Sequence, residues 1–235
     1  MSKIAIIQPV RIGDILICLP IARYFAKNGD KVIWPIAKDY YNMFLGAVDY
    51  VEFYPVEHDF QTCVTASLEI AKQEGCSTII NLAFGFPTMW DLWKKWKDSG
   101  KHFDEYKYEL AGVPFEEKWN LVINRNKDRE KDLFERIHVQ NPYLVHQTNS
   151  SDSKVDITWK DDEVNLNKIE VMPITDNIFD WISTLERANK LVLVDSCFVN
   201  LVDQLGINVK KRRIRKPIYD MDQYYPILKE KWEGE

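Results

Sequence analysis

Glycine is scarce, at nine in 235 residues. No GxGxxG follows any candidate strand and no GxxxxGK[ST] occurs anywhere, so a dinucleotide-cradling oxidoreductase and a P-loop enzyme are both disfavoured. Cysteine is equally thin. The four, Cys18, Cys63, Cys76 and Cys197, have no CxxC spacing, which points to free thiols in a reducing cytoplasm and to neither a zinc site nor a disulfide framework. His58, His102 and His138 are isolated and no HExxH exists, so no metal is expected. No apolar run reaches the roughly 18 residues of a membrane span. The opening Met-Ser-Lys-Ile-Ala-Ile-Ile-Gln reads as a buried strand without the cleavage pattern of a signal peptide, and a cytoplasmic location is the expectation. A net charge of -5 argues against a wholly basic nucleic-acid binder but leaves room for local basic patches.

What is present is an ordinary globular composition, 46% hydrophobic and 29% charged, in a chain long enough for one large domain or two small ones. Apolar, β-branched runs at 3–8, 31–35, 51–54 and 77–82 read as strands, and 14–28, 40–45 and 62–73 as helices between them. That alternation predicts a parallel, doubly wound sheet. A loop at 84–87, helices at 89–97 and 106–111, a strand at 119–123 and a charged helix at 128–137 follow. Breakers and charges cluster at 125–141, which places the domain boundary there. The alternation then restarts, with strands at 143–146, 168–173, 191–194 and 209–214, helices at 177–188 and 197–205, and a tail helix within 219–232. The expectation is α/β, with domains at 1–130 and 140–235.

Two segments carry candidate chemistry. Arg11-Ile12-Gly13-Asp14 follows the first strand, where open α/β sheets bind ligands. Gly13 would permit a sharp turn or a close approach. Asp14 is either the N-cap of the next helix or a carboxylate placed to accept a proton from an acceptor hydroxyl. Asp195-Ser196-Cys197, between a buried strand and a helix, either caps that helix or presents backbone N–H groups and a hydroxyl to a pyrophosphate. Asn200 lies one turn further on, where an exposed polar side chain would be ordinary. Asp176 is available as the N-cap of the helix at 177.

Residues 6–20, Ile-Ile-Gln-Pro-Val-Arg-Ile-Gly-Asp-Ile-Leu-Ile-Cys-Leu-Pro, resemble the opening of the ADP-heptose:lipopolysaccharide heptosyltransferases. Lys31-Val-Ile-Trp34 sits where that family has its second strand. Tyr143-Leu-Val-His146 and the loop reaching Lys154 resemble its strand-His-loop-Lys element, and Asp195-Ser196-Cys197 with Asn200-Leu201 resembles its Asp-Ser/Thr-Gly-x-x-His-Leu donor motif. The resemblance implies a GT-B fold, two Rossmann-like domains facing each other across a cleft, and sugar transfer from a nucleotide-sugar co-substrate with inversion and no metal or other cofactor. It implies Asp14 as general base, Lys154 against the leaving phosphate, Asp195 and Ser196 at the donor diphosphate, and His146, Thr148, Asn149 and Asp176 in the same donor region. Cys197 stands where the family has Gly, Asn200 where it has His, and the chain is shorter than typical members. Such a chain resembles a divergent, phage-type member, which would act in the host cytoplasm.

Two basic patches bear on the acceptor. Trp90, Trp93, Lys94, Lys95 and Lys97 interleave aromatics with cations, and either meet a polyanion or divide into core tryptophans and solvated lysines. Residues 210–216 place six cations in seven positions. As a strand they would send Arg213 and Arg215 to one face, and they bind an anion unless neutralised nearby. The acceptor is therefore expected to be a glycan or lipid-linked saccharide, or hydroxymethylated pyrimidines in phage DNA. The alternative is a non-catalytic nucleotide- or sugar-binding module of the same fold. Asp161-Asp162-Glu163 reads as a solvated loop.

Overall fold

The computed structural model describes residues 2–84, 89–150, 154–216 and 221–234. The chain divides into two compact units, Met1–Asn124 with Met221–Ile227, and Arg125–Asp220 with Leu228–Glu235.

The first unit alternates β1 (Lys3–Ile7), α1 (Ile12–Lys27), β2 (Lys31–Ala37), α2 (Lys38–Ala47), β3 (Glu52–Val56), α3 (Cys63–Gln73) and β4 (Thr78–Asn81), then adds α4 (Trp90–Ser99) and α5 (Phe103–Ala111). All pairings are parallel, in the order β3-β2-β1-β4. A parallel sheet covered on both faces needs strands that are apolar on both sides. Ile4 to Ile7 and Val32 to Ala37 are accordingly buried without a break. The chain winds outward from β1 through β2 to β3, then returns to the other side of β1 as β4. The carboxyl ends of β1 and β4 therefore flank the point where the winding reverses, the place where open α/β sheets bind ligands.

The second unit runs α6 (Lys127–Arg136), β5 (Tyr143–Gln147), α7 (Asp161–Val164), β6 (Asn167–Glu170), α8 (Ile182–Arg187), β7 (Lys190–Val194), α9 (Cys197–Gln204) and β8 (Lys210–Ile214). Its sheet is also parallel, ordered β6-β5-β7-β8. The winding reverses between β5 and β7, whose carboxyl ends carry Gln147 and Asp195. Glu233 joins β8 from the other side: Arg213 N–H donates to the Glu233 carbonyl at 2.9 Å and Glu233 N–H to that of Lys211 at 2.9 Å. This covers part of an otherwise open strand edge, with Trp232 fully buried behind it.

Several local expectations are corrected. The strand expected at 119–123 is instead the end of a 3₁₀ turn, Phe115–Trp119, followed by irregular chain. The helix expected at 177–188 is a 3₁₀ turn, Ile178–Trp181, running into the short α8. Asn177 caps it by accepting from Phe179 N–H at 2.9 Å, so Asp176 is not the cap. The described part of the tail is an extended strap with one 3₁₀ turn, Asp222–Tyr224. It is held by specific partners: Ile227 N–H donates to Asp104, and Lys229 N–H to both oxygens of Asp203. Residues 161–164 form α7, and Glu163 is fully buried between Lys190 and Arg212 at 3.1 and 2.6 Å. Residues 85–87 of the expected loop at 84–87, 151–153 of the polar loop and 219–220 of the tail lie outside the described residues.

Candidate active site

In the first unit, α1 begins at Ile12, with Arg11 as the residue before its first turn. Asp14 is therefore inside the first turn and makes no capping bond, which removes the capping explanation for it. The turn expected at Gly13 falls on Arg11, which adopts φ 67. A left-handed conformation is costly for a side chain with a Cβ and is characteristic of functional segments. Arg11 also lies 5.9 Å from the Phe60 ring centroid. The Asp14 carboxylate is about one-fifth exposed and accepts no hydrogen bond from any described residue.

The sequence did not suggest its neighbour, Lys107 on α5. The Lys107 ammonium is buried and stands 3.8 Å from Asp14 Oδ1. It donates to Gln8 Oε1 at 2.7 Å and to the Leu82 carbonyl at 2.6 Å, and lies 4.7 Å from the Phe84 ring centroid. Gln8 follows β1 and Leu82 follows β4, so Lys107 joins the two strand ends that flank the winding reversal. Gln8 is itself fixed, since its amide donates to the Val10 carbonyl at 2.9 Å and its own carbonyl accepts from Trp34 Nε1 at 3.0 Å. One turn along α1, the buried Cys18 thiol is pushed up to about 12 by desolvation, which makes it inert packing.

In the second unit, the equivalent reversal gathers Gln147, Asp195, Ser196, Asn200 and Arg213. Ser196 caps α9 by accepting from Phe198 N–H at 3.2 Å and donates to Gln147 Oε1. Asp195 pairs with Arg213 inside the fold, and burial pushes its carboxyl upward against the pull of Arg213, Lys216 and Arg215. Asp195 Oδ2 and Asn200 Oδ1 are buried without a hydrogen-bond partner. Asn200 sits where an exposed polar side chain would have been ordinary. It is buried, because α9 turns that face toward the interior. Orphaned buried acceptors at a helix N-terminus are unusual in a finished core and suit a ligand with donors.

The remaining sequence candidates scatter around this cluster. His146 packs against Trp159 at 5.2 Å between ring centroids, and burial lowers its pKa. Its Nδ1 also lacks a partner. Thr148 donates to Glu170 at 2.6 Å. Asn149 and the exposed Lys154 bridge the loop through their backbones. Asp176 pairs with Arg129 of α6 at 2.5 Å, in a network that includes Asp180 and Thr175. This network lines a groove of about 500 Å³. Asp176 is thus held by Arg129 of α6, not at the Asp195 cluster.

Three of the six cations at 210–216 pair with carboxylates of the chain itself. Lys211 pairs with Glu230 at 2.7 Å, Arg212 with Glu163 and Arg213 with Asp195. Arg215 is exposed and Lys216 buried. The tryptophans of α4 divide: Trp96 is core, whereas Trp90 is 62% exposed and stacks on Trp93 at 4.6 Å. Among the described residues no group of three or more His, Cys, Asp or Glu could hold a metal ion. No described helix is long and apolar enough to cross a membrane.

No protein-family model matches the sequence, and no curated protein matches it. Solved structures do match. A glycosyl transferase family 9 protein from Veillonella parvula superposes with TM-score 0.63 at 11% identity, over 97% of this chain and 85% of that one. E. coli heptosyltransferase WaaC, with ADP, gives TM-score 0.55 at 12% identity over 93% and 88%. E. coli ADP-heptose LPS heptosyltransferase II gives 0.54 at 9% over 91% and 84%. The chain thus has the α/β fold of these glycosyltransferases across nearly its whole length.

Proposed function

We propose that this protein is a glycosyltransferase that moves a sugar from a nucleoside-diphosphate sugar to an acceptor hydroxyl. The observation that carries the reading is the Asp14 carboxylate, without a hydrogen bond among the described residues and beside the buried Lys107 ammonium, at the winding reversal of a sheet whose fold is that of known glycosyltransferases. Such a carboxylate suits a general base. In the reaction, the acceptor O–H bond breaks and its proton passes to Asp14. The acceptor oxygen bonds to the anomeric carbon, and the bond from that carbon to phosphate oxygen breaks, its electron pair leaving with the nucleoside diphosphate. Attack from the face opposite the leaving group inverts the anomeric carbon and uses no metal.

The donor belongs to the second unit. Ser196 and the N-terminus of α9 suit the diphosphate, and the orphaned acceptors of Asp195 and Asn200 suit hydroxyl donors on the ribose or sugar. Arg213 acts there through Asp195, whose carboxylate it holds in place. WaaC is recorded with ADP and with ADP-2-deoxy-2-fluoro heptose, so an adenosine diphosphate sugar is the first donor to try. Internal pairing of the basic run favours a glycan acceptor over DNA. A reducing cytoplasm fits the free thiols. The non-catalytic alternative leaves the Asp14–Lys107 arrangement without a use.

The test is a thermal-shift screen against nucleoside diphosphates and their sugars. At a ligand concentration about 100-fold above Kd, stabilisation of about 2.7 kcal/mol is expected. Selective stabilisation by one nucleotide class, and release of its diphosphate on adding acceptor glycans, supports the reading. No stabilisation by any member would overturn it.

A further inference from the structure

We infer that Lys107 is the positioning residue for Asp14, holding the base aimed without occupying the lone pairs that must take the proton. The inference rests on the glycosyltransferase reading and adds a residue that neither the sequence motifs nor the fold likeness points to. Its basis is how the three donors of the ammonium are used. Two are spent, on Gln8 Oε1 at 2.7 Å and on the Leu82 carbonyl at 2.6 Å. These acceptors come from the ends of β1 and β4, so the nitrogen is fixed relative to the strands rather than left on a mobile stem. Asp14 Oδ1 stands 3.8 Å from the same nitrogen.

That separation matters. It lies beyond the range of a true hydrogen bond, which ends near 3.2 Å for N–H···O, yet within the range of strong charge attraction. A direct hydrogen bond would tie up one carboxylate oxygen. At 3.8 Å the ammonium offsets the charge and leaves both oxygens open. The gap also matches a hydroxyl that donates to Asp14 while accepting from Lys107, so the same cation would align the attacking oxygen. A purely structural lysine would ordinarily spend its third donor on protein. This one is buried, with the Phe84 ring against it at 4.7 Å, and no other described group takes that donor.

The test uses the full chain and the nucleotide sugar that the wild type turns over, with diphosphate release as the readout. Lys107→Met should lower kcat by about 10- to 100-fold, with KM for the donor nearly unchanged, because the donor is held by the other unit. Combined with Asp14→Asn, it should add little further loss, since each variant disables the same device. Gln8→Leu keeps both charges and removes one anchor. It should give a smaller loss in kcat and serves if Lys107→Met does not fold. Full turnover in folded Lys107→Met or in Gln8→Leu, or losses that multiply in the double variant, would overturn the inference and leave the glycosyltransferase reading intact. A wild type that turns over no nucleotide sugar would overturn that reading and the inference with it.

Discussion

Replacing Arg213 with methionine is a sharp test of how the second unit's site is built. The guanidinium is 2% exposed and its partner Asp195 is 7% exposed. Methionine fills much of the same volume but leaves a buried carboxylate whose Oδ2 already lacks a partner. Removing one side of a buried pair costs roughly 3–5 kcal/mol, because the surviving charge is left uncompensated. For a chain of this size each kcal/mol moves Tm by about 2–4 °C, so Tm should fall by about 6–20 °C. Asp195→Asn keeps an acceptor but strips the charge from beside the buried guanidinium, so by the same reasoning it should also cost roughly 3–5 kcal/mol. The double variant should cost less than the sum of the two, with a coupling of about 0.5–3 kcal/mol. Circular-dichroism melts of the four proteins measure this directly. If Arg213→Met melts within about 2 °C of wild type, or the two effects simply add, the pair is not the buried device described and Asp195 is free to act alone.

Arg11→Gly should raise stability by up to about 1 kcal/mol, since glycine accepts the φ of 67 without penalty; a lower urea midpoint would show that lost side-chain contacts outweigh the strain. Glu130 is buried, which by itself would raise its carboxyl, but bonds from Arg125 and Ser183 lower it below the ordinary 4.5. Its contribution is therefore present above that value and lost as pH falls through the lower folded value. A urea midpoint that drops on acidification below about pH 4.5, and drops less in Glu130→Gln, is the expected result. An identical pH slope in that variant would refute it. Because Lys211, Arg212 and Arg213 have partners within the chain, the protein should elute early from heparin, and retention to high salt would contradict the internal pairing.

The strands were legible because buried parallel strands must be apolar on both faces. Residues 4–7 and 191–194 can be little else. The sequence placed Asp14 and Asp195 at the carboxyl ends of strands; the strand order, and with it the reversal points, came from the structure. Lys107 was not legible. Its contact with Gln8 spans 99 residues, and on its own helix it is one more lysine in Tyr-Lys-Tyr. The basic run misled for a related reason: six cations in sequence say nothing about Glu163, Asp195 and Glu230, which come from elsewhere in the chain to pair with three of them, Arg212, Arg213 and Lys211. Asp176 looked like a cap because local sequence cannot separate two adjacent cap-forming residues. Packing chose Asn177 and gave Asp176 to Arg129. Cys197, where the resembled motif has glycine, is accommodated as a half-buried thiol at the start of α9, pushed up to about 11 by desolvation.

The central claim is that Asp14 takes the acceptor proton in a sugar transfer, and the most direct measurement compares wild type with Asp14→Asn in diphosphate release from the nucleotide sugar that stabilises the protein. Asn keeps the size of the side chain, and Asp14 makes no capping bond to lose. The account predicts unchanged donor affinity, a melt close to that of wild type, and turnover reduced by at least about 100-fold. Near-normal turnover in the folded, donor-binding variant would contradict it.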